Sequence, residues 1–217
     1  MPTVDYEKIK HEQFKENVKK LKSKDVKDKI QSFSERSGYT VEEISKKIDE
    51  DEMFRWFFAK DPIKQNIHEN TAIDFIKNIN GVKEFKKFGT NEAFVVNGGI
   101  MLGSELKSKQ IRPKTKSIDF YWKYKDVEYY ASHKYTKDEG GGQTHQYNDL
   151  IKYIQECNNS SRKNTKFLAI ADGKFYDGNN GKAGTTRMQH LVELADKRTT
   201  FAMTINDLTE FMINSNA

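Results

Sequence analysis

The spacing of apolar and polar positions divides the chain into a helical N-terminal stretch and a longer segment in which strands and helices alternate. Residues 5–60 read as helical. Within them, YTVEEISKKIDEDEMFRWFF offers Thr40 as an N-cap with Glu43 three residues on, a capping box that opens an amphipathic helix through Val41, Ile44 and Ile48. A second apolar stripe of Met53, Phe54, Phe57 and Phe58 follows, and Lys60-Asp61-Pro62 breaks the pattern. A further helix is predicted from His68 to Asn78, with Ala72, Ile73, Phe75 and Ile76 as its apolar side and Asn80-Gly81 as its end.

Strand patterns come next. EAFVVN (92–97) predicts a first strand. SIDFYWKY (117–124) and VEYYASHK (127–134) are rich in β-branched and aromatic residues and flank the two-residue polar turn Lys125-Asp126, the signature of an antiparallel hairpin. THQYNDLIKYIQE then places Tyr147, Leu150, Ile151 and Ile154 on one helical stripe. KFLAIADG reads as a buried central strand, TTRMQHLVELA as a helix, TTFAMT (199–204) as another strand, and a last helix starts near Ile205. The alternation predicts an α/β fold, a mixed central sheet with helices on both faces. Two regions are expected, a helical one over 1–62 and an α/β domain over 63–217.

Composition narrows the class. The chain has 217 residues, with 37 Lys and Arg against 32 Asp and Glu, a net charge of +5 that suits a polyanionic partner without establishing one. Aromatics at 12% suffice for a core, so the chain should fold. Its single cysteine, Cys157, excludes an internal disulfide and multi-cysteine zinc patterns, and is expected to be inert. The opening MPTVDYEKIKHEQ lacks the apolar core of a secretory signal and no apolar run reaches membrane-spanning length, so a cytoplasmic protein with no membrane partner is expected.

The hairpin carries the candidate chemistry. Metal-dependent phosphodiester hydrolysis needs carboxylates for one or two divalent cations and a cationic group near the phosphate. Asp119 lies on the first strand; on the second, Ser132 and Lys134 share a face while His133 points the other way. A polar residue and a lysine two apart are common on solvated strand faces, so this motif by itself is weak.

The order of the downstream pieces adds to it. SID (117–119), ASHKY (131–135), the glycine-bearing loop, HQYNDLIKY (145–153), KFLAIADGKF (166–175) and TFAMTINDL (200–208) together resemble the PD-(D/E)XK nuclease superfamily, which includes many type II restriction endonucleases. The resemblance covers about residues 115–210 and implies a restriction-endonuclease-like fold. It further implies Mg²⁺ as cofactor and double-stranded DNA as substrate, with Asp119 as the first metal-binding carboxylate, Lys134 as the catalytic lysine and Glu69 as a supporting acid from an early helix. Ser117 and Ile118 stand where the family has proline, and Ser132 stands where it has a carboxylate. Three explanations of Ser132 remain open: the carboxylate has moved to the next helix, at Asp149, or to Glu139 in the loop; the serine was introduced to disable cutting; or the protein is a binding-only relative. Double-strand cleavage by such a site is simplest in a homodimer. The competing reading is a non-catalytic, sequence-specific DNA-binding protein, and a third is a protein-interaction domain.

Arg112, Lys114 and Lys116, with Arg162 and Lys163, are candidates for phosphate contacts, against the plainer reading of solvated loops. Arg187 and Gln189 could reach base edges, or simply line an exposed helix face. The helices over 41–58 either read DNA as a helix-turn-helix or pack as ordinary helices. GGIMLGSE (98–105) has P-loop glycine spacing, yet Ser104 and Glu105 occupy the places of Lys and Ser/Thr, which excludes nucleotide hydrolysis through that motif.

Overall fold

The reciprocal bonds expected at Thr40 are formed: its hydroxyl accepts the Glu43 N–H at 3.2 Å and the Glu43 carboxylate accepts the Thr40 N–H at 2.8 Å, opening helix α3 (Val41–Glu50). Two helices precede it. Helix α1 (Tyr6–Lys19) is capped by Asp5, and α2 (Lys24–Ser37) is closed by Gly38 in the left-handed region. Asp51 ends α3 and caps α4 (Glu52–Phe58). Val26, Ile44, Ile48 and Phe58 form the buried core of this bundle, with Leu21, Ile30, Phe33 and Phe54 around them. The computed structural model describes residues 3–139, 141–181 and 184–215.

The chain forms two compact units, Met1–Thr71 and Ala72–Ala217, so the division falls later than the expected one at residue 62. Pro62 does not end the first unit because the buried Asn17 amide donates to the Lys60 carbonyl and to Gln65 Oε1, both at 2.7 Å. Those bonds hold the turn Pro62–Gln65 to the helical bundle. Helix α5 (Ile67–Lys77) runs across the division; in the first unit its His68 meets Tyr6 edge-on.

The second unit is a mixed α/β fold built on a five-stranded sheet. Its strands are β1 (Val82–Lys87), β4 (Phe120–Tyr124), β5 (Val127–Tyr135), β6 (Thr165–Asp172) and β7 (Thr200–Met203), in the order β1-β4-β5-β6-β7. The first three run antiparallel and the last three parallel. Parallel neighbours need a crossover, and helices α7 (Gly141–Cys157) and α8 (Arg187–Leu194) supply the two. A short helix α9 (Leu208–Asn214) follows the last strand. Helix α7 buries Tyr147, Leu150, Tyr153, Ile154 and Cys157 against a core that includes Tyr130, Phe167, Ala169 and Ala171. Phe120, Trp122, Tyr129, Leu168 and Ile170, on the opposite face, are also buried, which explains the unbroken apolar run of β6.

The strand expected first, 92–97, is instead β2 (Ala93–Val96), which pairs only with β3 (Gly99–Leu102) in a separate hairpin. Its turn, Asn97-Gly98, has φ of 50° and 74°. A Cβ at Gly98 would come within 2.4 Å of the Asn159 and Ser160 backbone, so this position requires glycine on both counts. The hairpin and the short helix α6 (Gly103–Ser108) account for the segment that mimics P-loop spacing. No helix among the described residues is long and apolar enough to cross a membrane.

Candidate functional site

The β4–β5 register pairs Phe120 with Ala131, which sets Asp119 opposite Ser132. Asp119 donates its own N–H to the Ala131 carbonyl at 2.9 Å. One residue earlier the chain leaves the ladder, because the Ile118 N–H turns to the Ala93 carbonyl on β2 at 2.8 Å. The peptide groups of His133 are therefore left facing a place where β4 has ended. Side chains take over from the missing strand: Asp119 Oδ2 accepts the His133 N–H at 2.8 Å, and Lys134 Nζ donates to the His133 carbonyl at 3.0 Å.

The same Oδ2 accepts from Lys134 Nζ at 2.9 Å and from Ser132 Oγ at 3.3 Å. Oδ1 accepts no hydrogen bond from the described residues. Ser132 is buried, whereas the side chains of Asp119 and Lys134 stay 23% and 20% exposed, open enough for a ligand to reach them. Strand alternation turns Tyr130, Ser132 and Lys134 to the face covered by α7, where Tyr153 donates its hydroxyl to the Tyr130 carbonyl at 2.8 Å. Burial drives the Tyr153 hydroxyl well above its ordinary pKa and lifts that of Tyr130 to about 12, so neither supplies a phenolate near neutral pH.

His133 projects to the other face, as its place in the alternation requires. There its Nε2 meets Asp172 Oδ2 at 3.1 Å, with both side chains about 5% exposed or less. Asp172 Oδ1 accepts the Ile205 N–H at 2.9 Å, and the Asp172 carbonyl accepts the Thr136 N–H at 2.8 Å. Sequence reasoning passed over Asp172; its one signal is a carboxylate closing an otherwise apolar strand.

Of the expected site residues, the structure thus brings Asp119, Ser132 and Lys134 together. Asp149 lies partly buried on α7, and Glu69 lies partly buried on α5 within the first unit. Among the described residues no three His, Cys, Asp or Glu side chains converge to hold a metal ion. Glu139, the other candidate, is engaged by Arg187 through two bonds of 2.8 and 3.1 Å.

The basic residues divide similarly. Lys114 pairs with the buried Glu156 at 3.1 Å, and Arg162 pairs with Glu128 at 3.2 Å. Arg162 and Lys163 stand just before Thr165, which registers with Glu128, whereas the site lies six strand residues on, about 20 Å away at roughly 3.3 Å per residue. Arg112, Lys116 and Lys163 are exposed and form no ion pair among the described residues. Arg187 does not present its guanidinium as a base reader: it stacks 3.9 Å from the Phe175 ring centre and donates to the Phe175 carbonyl as well as to Glu139. Gln189 is likewise occupied, its Oε1 accepting the Thr186 N–H in the α8 capping box.

Charge separates the two units. Met1–Thr71 holds fifteen Lys and Arg and fifteen Asp and Glu, so the whole excess of +5 falls in Ala72–Ala217. The suggested reader helices, 41–58, carry six acids and three bases, and Arg55 is spent on the Ile48 and Asp49 carbonyls at the end of α3. That acidic balance does not favour phosphate contacts from these helices. Burial of Cys157 pushes its thiol well above the ordinary range and keeps it inert, as expected. No protein-family model, curated protein or solved structure matches the chain.

Proposed function

We propose that the chain is a type II restriction endonuclease that hydrolyses duplex DNA with Mg²⁺ through a Ser-x-Lys variant of the PD-(D/E)XK site. The observation that carries this reading is the partly exposed Asp119–Lys134 pair, 2.9 Å apart on adjoining strands at the open end of β4. Exposed ion pairs are common, so what supports this reading is the pair's place at a break in the sheet, where an acid able to hold a cation and a lysine able to meet a phosphate are both accessible.

Mg²⁺ is held by one or two carboxylates together with water and substrate phosphate oxygens, so a single placed acid is enough to begin a site. Asp119 offers Oδ1 for it, and Asp149 is the second acid we assign. When bound, the ion would polarise the phosphoryl oxygen and acidify a water. Lys134, a fixed ammonium donor beside Asp119, would stabilise charge developing on the phosphate. Ser132 keeps its hydroxyl on Asp119 and orients that carboxylate. Arg112 and Lys116 are the phosphate contacts this reading favours, and a homodimer lets two sites cut both strands.

A second reading, a sequence-specific DNA-binding protein without activity, is favoured by Ser132 in place of a carboxylate and by the lack of three converging acids among the described residues. Plasmid cleavage in Mg²⁺ and Mn²⁺ by Asp149→Asn and Ser132→Glu separates the two. If the unaltered chain cuts and Asp149→Asn does not, the relocated acid is supported. If only Ser132→Glu cuts, the chain is a disabled nuclease and position 132 is the missing ligand. If all bind DNA and none cuts, the binding reading replaces the nuclease.

A further inference from the structure

We infer that the buried His133–Asp172 pair is a positioning device that sets the geometry of the Asp119–Lys134 site from the opposite face of the sheet; its role in DNA hydrolysis rests on the reading above. His133 contributes both peptide groups that the site uses, the N–H to Asp119 and the carbonyl to Lys134. Neither peptide group has a ladder partner on β4, which has already turned away toward β2. On that edge β5 has no neighbouring strand, and its backbone is held from the other edge by the parallel ladder to β6.

The His133 side chain adds a bond across that ladder. Its bond to Asp172 is doubly anchored, because Asp172 also accepts the Ile205 N–H at the start of the C-terminal segment and bonds Thr136 through its carbonyl. Rotating β5 about its axis would break the His133–Asp172 bond on one face and swing Ser132 and Lys134 away from Asp119 on the other, since successive side chains are rigidly opposed. A buried polar pair is no better for stability than a well-packed apolar pair, so it is expected where it fixes one arrangement among several. In parallel register His133 pairs with Ile170, within the five apolar or small residues before Asp172; the ladder fixes the register, and the His133–Asp172 bond restrains twist about the strand.

His133→Leu keeps the volume and removes the bond; His133→Gln retains a donor near the place of Nε2. Two readouts are taken on the full chain: hydrogen exchange of the residue 133 amide by NMR, and kcat and KM for plasmid cutting in Mg²⁺. With His133→Leu, the amide should lose protection and kcat should fall on the order of ten-fold with KM unchanged. His133→Gln should restore both, which a loss of general stability would not allow. Unchanged amide protection in His133→Leu, or a Gln variant as impaired as the Leu variant, overturns the inference. If the unaltered chain cuts no DNA, the nuclease reading fails, and the amide measurement still decides whether the pair sets the site.

Discussion

Replacing Asp119 tests whether its carboxylate completes the broken edge of the sheet. In Asp119→Ala the His133 N–H loses its acceptor at a position that is 7% exposed, and Lys134 loses its counter-ion. An unsatisfied buried donor costs about 1–3 kcal/mol. The ion pair, at roughly one-fifth exposure, adds no more than about 1 kcal/mol. The expected loss is therefore about 1–4 kcal/mol for alanine. Asp119→Asn keeps an oxygen for the His133 N–H, and should cost about 1 kcal/mol or less. Urea denaturation at neutral pH measures both, with Trp56→Phe as background so that fluorescence reports Trp122 and hence the second unit. Equal stability of the two variants, or a gain on going to alanine, would refute this account of the edge.

Two further perturbations probe the surrounding fold. Gly98→Ala should destabilise the second unit by more than about 2 kcal/mol in the same assay, since the new methyl meets the backbone of Asn159 and Ser160 at a positive φ. Asp196 is raised by burial but lowered further by N–H bonds from Thr200, Arg198 and Thr199, for a net depression of its pKa. A depressed acid contributes stability that is present above its unfolded pKa and lost as pH falls through the folded value. Asp196→Asn should thus lower the melting temperature at pH 7, and that deficit should begin to shrink below about pH 4 and vanish only once pH has fallen through the depressed folded value; a deficit that stays equal through the acid range would contradict it.

The hairpin and the central strand were legible because their patterns report burial directly: period two over 117–134, and an unbroken apolar run where both faces are covered. Strand β1 was not, because VKEFKK has lysines on both sides, as an edge strand does, and its bulge between Lys83 and Lys86 disrupts any period. The β2 segment reads as a strand but its partner lies across a glycine turn, so local pattern gave no sign that it stands apart from the main sheet. Asp119, Ser132 and Lys134 were readable as one face because alternation fixes them. The His133–Asp172 bond depends on the β5–β6 register across an intervening helix, which no local pattern carries. Arg187 and Arg162 looked free for DNA because an exposed basic residue and one paired with a distant acid are identical in sequence.

The central claim is that Asp119 and Lys134 form a phosphodiester-cleaving site. The most direct test is cleavage of supercoiled plasmid in Mg²⁺ by the unaltered chain and by Lys134→Ala, with DNA binding measured on both in Ca²⁺. The account predicts cutting that EDTA abolishes, and a Lys134→Ala variant that binds DNA but cuts at least about a hundred-fold more slowly. Cutting that survives Lys134→Ala undiminished, or an unaltered chain that binds DNA and never cuts it, would contradict it.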